Sequence, residues 1–188
     1  MTSRPGKRDR LVAAASELIH HQGLASTTLA DIALASDVPV GNLYYYFKTK
    51  EALVDAVVHS YADQLRLALA ELERVHRTPK VRLKAMVGVL AEQRDLIARF
   101  GCRYGTLSSE LAKRSDGSDS LGIPLMQIPL GWAQQQFREL GHRDAHDLAV
   151  DLVAAYQGSA VLSCTLGQPD LMARQCRRIA KWIDSLQP

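Results

Sequence analysis

Apolar residues along this chain recur every three or four positions, and no stretch alternates apolar and polar with period two. Such spacing gives a helix one buried stripe and leaves a strand no coherent face. An all-α fold of about nine helices is therefore expected. Leu11, Ala15, Leu18 and Ile19 form the first stripe, which Gly23 ends. Thr28 with Asp31 reads as a capping box opening a second, short helix. Ser36-Asp37-Val38-Pro39 is a turn, with Pro39 suited to the first position of a third helix. Thr49 is the expected N-cap of a long fourth helix carrying Leu53, Val57, Tyr61, Leu65, Leu69 and Leu72.

The later chain repeats this punctuation. Thr78-Pro79 opens a helix expected to run to Gly101, and another should cover 103–113. The Ser-, Asp- and Gly-rich segment 114–122 reads as a mobile loop. Pro129 either kinks the next helix or marks its start, and Gly141 ends it. Asp144 and Asp147 precede an eighth helix, and Pro169-Asp170 a ninth.

Composition removes several classes. At 188 residues and 47% hydrophobic, the chain has enough apolar surface for a core and is not intrinsically disordered. Lys plus Arg number 23 against 20 Asp plus Glu, a net charge of +3, which allows a local anion-binding surface but no histone-like coating. The most apolar stretch, 148–166, is interrupted by Asp151 and Gln157, so no membrane span is expected. Cys102, Cys164 and Cys176 match neither a zinc pattern nor a disulfide framework, and a reducing cytoplasm is the expected compartment. No cofactor is expected.

Two short helices across a tight turn, with a longer helix ahead, make a helix-turn-helix. Ala33 permits their close crossing, and Leu29, Ile32, Val38 and Leu43 form the core beneath. The run from Thr28 to Leu53, TLADIALASDVPVGNLYYYFKTKEAL, resembles the TetR/AcrR family of transcriptional regulators. The shared pattern falls at Thr28, Ile32-Ala33, Val38, Leu43-Tyr44-Tyr45-Tyr46-Phe47 and Lys50-Glu51-Ala52-Leu53, within a match over about residues 8–58. Phe100-Gly101-Cys102 and Gln157-Gly158-Ser159 look like the LmrA/YxaF-type branch.

The resemblance implies a homodimeric, ligand-responsive repressor on a palindromic double-stranded DNA operator. Residues 1–50 would be the DNA-binding domain and 51–188 the effector-binding and dimerisation domain. The start of the third helix would face base edges through Val40, Gly41 and Asn42. Asparagine can pair with adenine, valine can touch a thymine methyl, and glycine lets the backbone approach. Tyr44, Tyr45 and Tyr46 would supply hydroxyls to phosphates. Thr28 and Lys50 lie at helix N-termini, which favour phosphate. Arg4, Lys7 and Arg8 belong to a basic arm that reaches the backbone or a minor groove.

The effector, small and mostly apolar, would bind among the fourth to eighth helices. Its expected lining is Leu65, Met86, Leu90, Phe100, Cys102, Tyr104, Leu107, Met126, Trp132, Phe137, Tyr156 and Gln157. The last two helices would form a four-helix bundle with a second copy through Leu148, Leu152, Ala155, Ser159, Leu162, Ile179, Ala180 and Ile183. One alternative keeps the regulator but makes Cys102 a thiol redox trigger, with Arg99 and Arg103 close in sequence. Another is a helical-bundle enzyme, but the chain carries no phosphate loop, HExxH, GxSxG or Cys-His pattern, and no enzyme is expected. His142 and His146, four apart, read as a polar helix start rather than a metal site.

Overall fold

A computed structural model describes residues 5–114 and 120–187, which form ten helices and no strand among them. Arg4 and most of the Ser/Asp/Gly-rich segment lie outside the described residues. The first helix, α1 (Lys7–Ser26), is broken at Gly23, whose φ of 82° belongs to the region glycine enters freely. Next comes α2 (Leu29–Ala35), opened by the expected reciprocal cap: Asp31 N donates to Thr28 Oγ1, and Thr28 N donates to Asp31 Oδ2. The connecting turn carries Asp37 at φ 53° and leads into α3 (Val40–Tyr46). Pro39 is the N-cap of α3, one place earlier than expected.

Thr49 Oγ1 accepts from Ala52 N and so caps α4 (Lys50–Val75). The helix expected to run on to Gly101 divides at Gln93 into α5 (Pro79–Glu92) and α6 (Arg94–Phe100). Pro79 stands in the first turn of α5, while Thr78 makes no side-chain cap bond. After Gly101, at φ 79°, α7 spans Arg103–Ala112. Helix α8 (Ile123–Glu139) contains Pro129 in its interior. Having no N–H, Pro129 leaves the Leu125 carbonyl without that helical bond. Gly141 at φ 95° separates α8 from α9 (Ala145–Leu166), and Gly167 at φ 63° separates α9 from α10 (Pro169–Ser185).

Two apolar cores result. The first joins Leu11, Ala15 and Ile19 of α1, Ile32 and Ala33 of α2, Leu43 of α3 and Phe47 to Leu53, Val54 and Val57 of α4. It continues to Leu107 and Leu111 of α7 and Leu125 of α8. The second packs α5, α6, α8, α9 and α10 around Leu83, Ile97, Phe137, Leu152, Met172 and Ile183. Tyr104 packs against both cores, and its ring meets Tyr61 edge to face at 5.4 Å.

By length and composition α9 would also suit a membrane span, with a mean hydropathy of 1.3 in its most apolar window. Asp151 and Gln157 do not lower it as far as expected. In this fold one side of α9 lies against α6, α8 and α10, while about a third of that window is buried.

Candidate functional site

Helix α3 has seven residues, too few to hold its shape alone, so its inward side chains set its position. Leu43 is fully buried and Phe47, just beyond the helix, is nearly so. The remaining positions turn outward. Val40, Gly41, Tyr44, Tyr45 and Tyr46 are exposed, and Asn42 is half-buried at their edge. A Cβ at Gly41 would meet nothing within 4 Å, so a flat surface can reach this backbone. The Tyr45 and Tyr46 rings meet edge to face at 5.1 Å. Lys7 and Arg8 are exposed on the first turn of α1, with the Arg8 guanidinium 5.3 Å from the Phe47 ring centre.

Two expected phosphate contacts are occupied elsewhere. The Thr28 hydroxyl donates to Asp31 Oδ2 at 2.6 Å while accepting from Asp31 N. Those bonds hold the Asp31 carboxyl below the usual carboxylate range. A carboxylate there repels phosphate. Lys50 Nζ donates to the Leu24 carbonyl at 2.7 Å, which ties α4 to the α1–α2 turn. Burial, with Arg114 nearby, depresses its pKa. Lys50→Ala is therefore expected to cost about 1–3 kcal/mol of stability in chemical denaturation. The salt slope of DNA binding should stay as in the parent protein; a slope flattened by about one would restore Lys50 to phosphate contact.

From the other side, Glu110 Oε2 of α7 accepts from the Leu24 backbone N–H at 2.9 Å. The same residue of the head is thus held by α4 through its carbonyl and by α7 through its amide. Tyr61 of α4 adds a buried bond, its hydroxyl donating to the Ser16 carbonyl of α1 at 2.9 Å. Burial pushes the Tyr61 phenol up to about 12.

Below the head lies a cavity of about 150 Å³ between α4, α5, α6, α7, α8 and α9. Leu65, Met86, Leu90, Cys102, Tyr104, Met126, Tyr156 and Gln157 line it. Phe100, Leu107, Trp132 and Phe137 do not, because each sits on another face of its helix. Phe100 stacks on His21 at 4.2 Å. Leu107 belongs to the first core, and Phe137 to the second, with no exposed surface. Trp132 Nε1 donates to Glu73 on the outside of the bundle. The spacing did not point to His20, Leu69, Leu72, Val89, Gln93 or Leu96, all of which also line the cavity.

His20 reaches this wall from α1. Its Nε2 lies 3.0 Å from the Gly101 carbonyl, so Nε2 carries the proton and donates. Nδ1 is buried without a partner among the described residues. Burial holds the His20 pKa below its ordinary value, and Arg103 and His21 add to that effect. Burial, reinforced by Cys102, pushes the Tyr156 phenol far up. Cys102 is 6% exposed and its Sγ accepts from Gly105 N, so it lacks the open setting of a redox trigger. Among the described residues no group of three or more His, Cys, Asp or Glu is placed to hold a metal ion.

The expected dimer stripe divides. Leu148, Leu152, Ser159, Ile179 and Ile183 are buried inside the protomer, and Ala180 is half-buried. The five buried side chains already have neighbours within the protomer. Ala155 and Leu162 are exposed instead, alongside Val150, Val161 and Leu166. Because α9 is apolar nearly all round, periodicity gave no sign of which side faces out.

A small helical head with an open third helix, set on a hollow helical body, is the arrangement of a helix-turn-helix protein. Residues 11–57 match the family described as bacterial regulatory proteins, tetR family. The repressor DhaR of Mycobacterium sp. (strain GP1) is 29% identical over 168 residues, covering 84% of this chain and 82% of that protein. The repressor KstR2 of Rhodococcus jostii (strain RHA1) is 31% identical over 94 residues, covering 50% of this chain and 46% of the relative. Apart from DhaR, the chain spans about half the length of the curated relatives it matches. A TetR regulator structure from Legionella pneumophila superposes with a TM-score of 0.84 at 17% identity, over 97% of this chain and 98% of that one. Residues 11–57 thus carry the conserved segment of the tetR family of bacterial regulatory proteins, and the whole chain has the fold of the TetR regulator structures.

Proposed function

We propose that this protein is a ligand-responsive transcriptional repressor that binds a palindromic operator as a homodimer and is released by a small, mostly apolar effector. The observation that carries this reading is the span of α4. One end contributes Leu53, Val54 and Val57 to the head core, and the other walls the cavity with Leu65, Leu69 and Leu72. A ligand that prefers one pose of α4 would therefore move the head with it. Residues 1–50 act as the DNA-binding head and 51–188 as sensor and dimerisation unit, in the cytoplasm. The open face of α9, with Leu162 at its centre, is the surface for the second copy, and in that dimer the two α3 helices stand about 34–36 Å apart.

Val40, Gly41 and Asn42 read bases, while Tyr44, Tyr45, Tyr46 and the basic start of α1 hold phosphates. The test is titration of the purified protein against the DNA upstream of its own gene over a range of salt. Tight, competitor-resistant binding of two protomers to one palindrome supports the repressor reading; weak, sequence-blind binding that persists after refolding removes it. Within that assay, Asn42→Ala is expected to weaken operator binding by about 1–3 kcal/mol and to leave random DNA nearly unaffected. Equal losses on both would take Asn42 out of base readout.

A further inference from the structure

Gln157 stands on α9 at a wall with two sides. It lines the inner cavity and also an outer groove between α7 and α9, together with Gly101, Cys102 and Met126. Its amide nitrogen donates to Cys102 Sγ at 3.8 Å and to Met126 Sδ at 3.7 Å. Both partners are sulfur, a weak acceptor that an oxygen readily displaces. The carboxamide also has a close backbone neighbour. It lies against Gly105 of α7, where a Cβ would collide with Gln157 Oε1. Only glycine at 105 gives the amide this seat.

The rest of the lining restricts the ligand's charge. It contains no Asp or Glu. Its cation, Arg103, lies 3.7 Å from Glu17 and 5.8 Å from the Tyr61 ring centre. A cation entering here would give up its hydration without meeting a counter-charge. A pure hydrocarbon would leave the Gln157 donor on its two sulfurs.

We propose that the cavity takes a neutral, mostly apolar carbonyl compound of the ketone, ester or lactone class, whose oxygen accepts from Gln157 Nε2 in place of Cys102 and Met126. This deepens the effector reading above and rests on it. One oxygen acceptor gained over sulfur is expected to be worth about tenfold in affinity.

The test uses the full-length protein without DNA, titrated with cyclohexanone, methylenecyclohexane and piperidinium and followed by backbone amide resonances. The probes share one ring shape, and a cavity of about this volume admits a benzene-sized ring. Cyclohexanone should bind about tenfold more tightly than methylenecyclohexane, with piperidinium weakest. Gln157→Leu should bring cyclohexanone down to the level of methylenecyclohexane and leave the latter within about twofold, which also shows that the variant is folded. An undiminished ketone preference in Gln157→Leu, a preference for piperidinium, or no binding of either neutral probe overturns the assignment. Release of DNA is read separately. A ketone preference that has no effect on DNA keeps the Gln157 assignment and removes the effector reading.

Discussion

Replacing Leu43 with alanine is expected to cost about 2–5 kcal/mol and to abolish sequence-specific DNA binding. Leu43 is the one buried side chain within α3 and has no exposed surface. It belongs to the same apolar core as Leu11, Ala15 and Ile32, so its removal leaves a cavity there. With that anchor gone, a seven-residue helix has only Phe47 to fix its angle, and Val40, Gly41 and Asn42 lose their common plane. Operator titration beside a head-specific unfolding probe measures this. The cavity should still bind its probes, because its lining does not include Leu43. Operator affinity equal to the parent's would show that α3 is positioned by something else.

Phe137→Ala should act on the other core and cost about 3–5 kcal/mol. The ring is fully buried and meets His142 at 6.2 Å and Trp182 at 6.0 Å, which joins α8 to α10 across the body. For a chain of this size the Tm should fall by something on the order of 10 °C. Calorimetry of the whole protein reads it. A fall of only a degree or two would mean that Phe137 borders open space after all.

Side by side, these two positions show what the sequence could and could not tell. Leu43 and Phe47 were identifiable as inward because a very short helix can bury only one or two side chains, and the tyrosines between them need water or a partner. Two of the caps were legible for the same local reason, while Thr78 makes no side-chain cap bond. Thr28 with Asp31, and Thr49, bond within three residues of themselves, so neighbouring sequence contains the whole interaction. Phe137 was a different matter. It shares its helix with the cavity-lining Met126 and Pro129, and only the packing of α10 shows that it points elsewhere. The break at Gln93 has neither glycine nor proline to mark it. Lys50 bonds a carbonyl 26 positions earlier, and His20 reaches Gly101 81 positions later, distances over which residue type carries no signal. The outward side of α9 stayed hidden because almost every side of that helix is apolar.

Leu24 has a consequence of its own. Its amide is held by an acidic side chain of the body and its carbonyl by a basic side chain of the long connecting helix. Both bonds sit on one peptide-length of backbone, next to a glycine already turned out of the helix. If α7 and α4 shift relative to one another, that short link cannot follow both. One of the two bonds has to lengthen, and which one yields decides whether Leu24 stays with α4 or with α7.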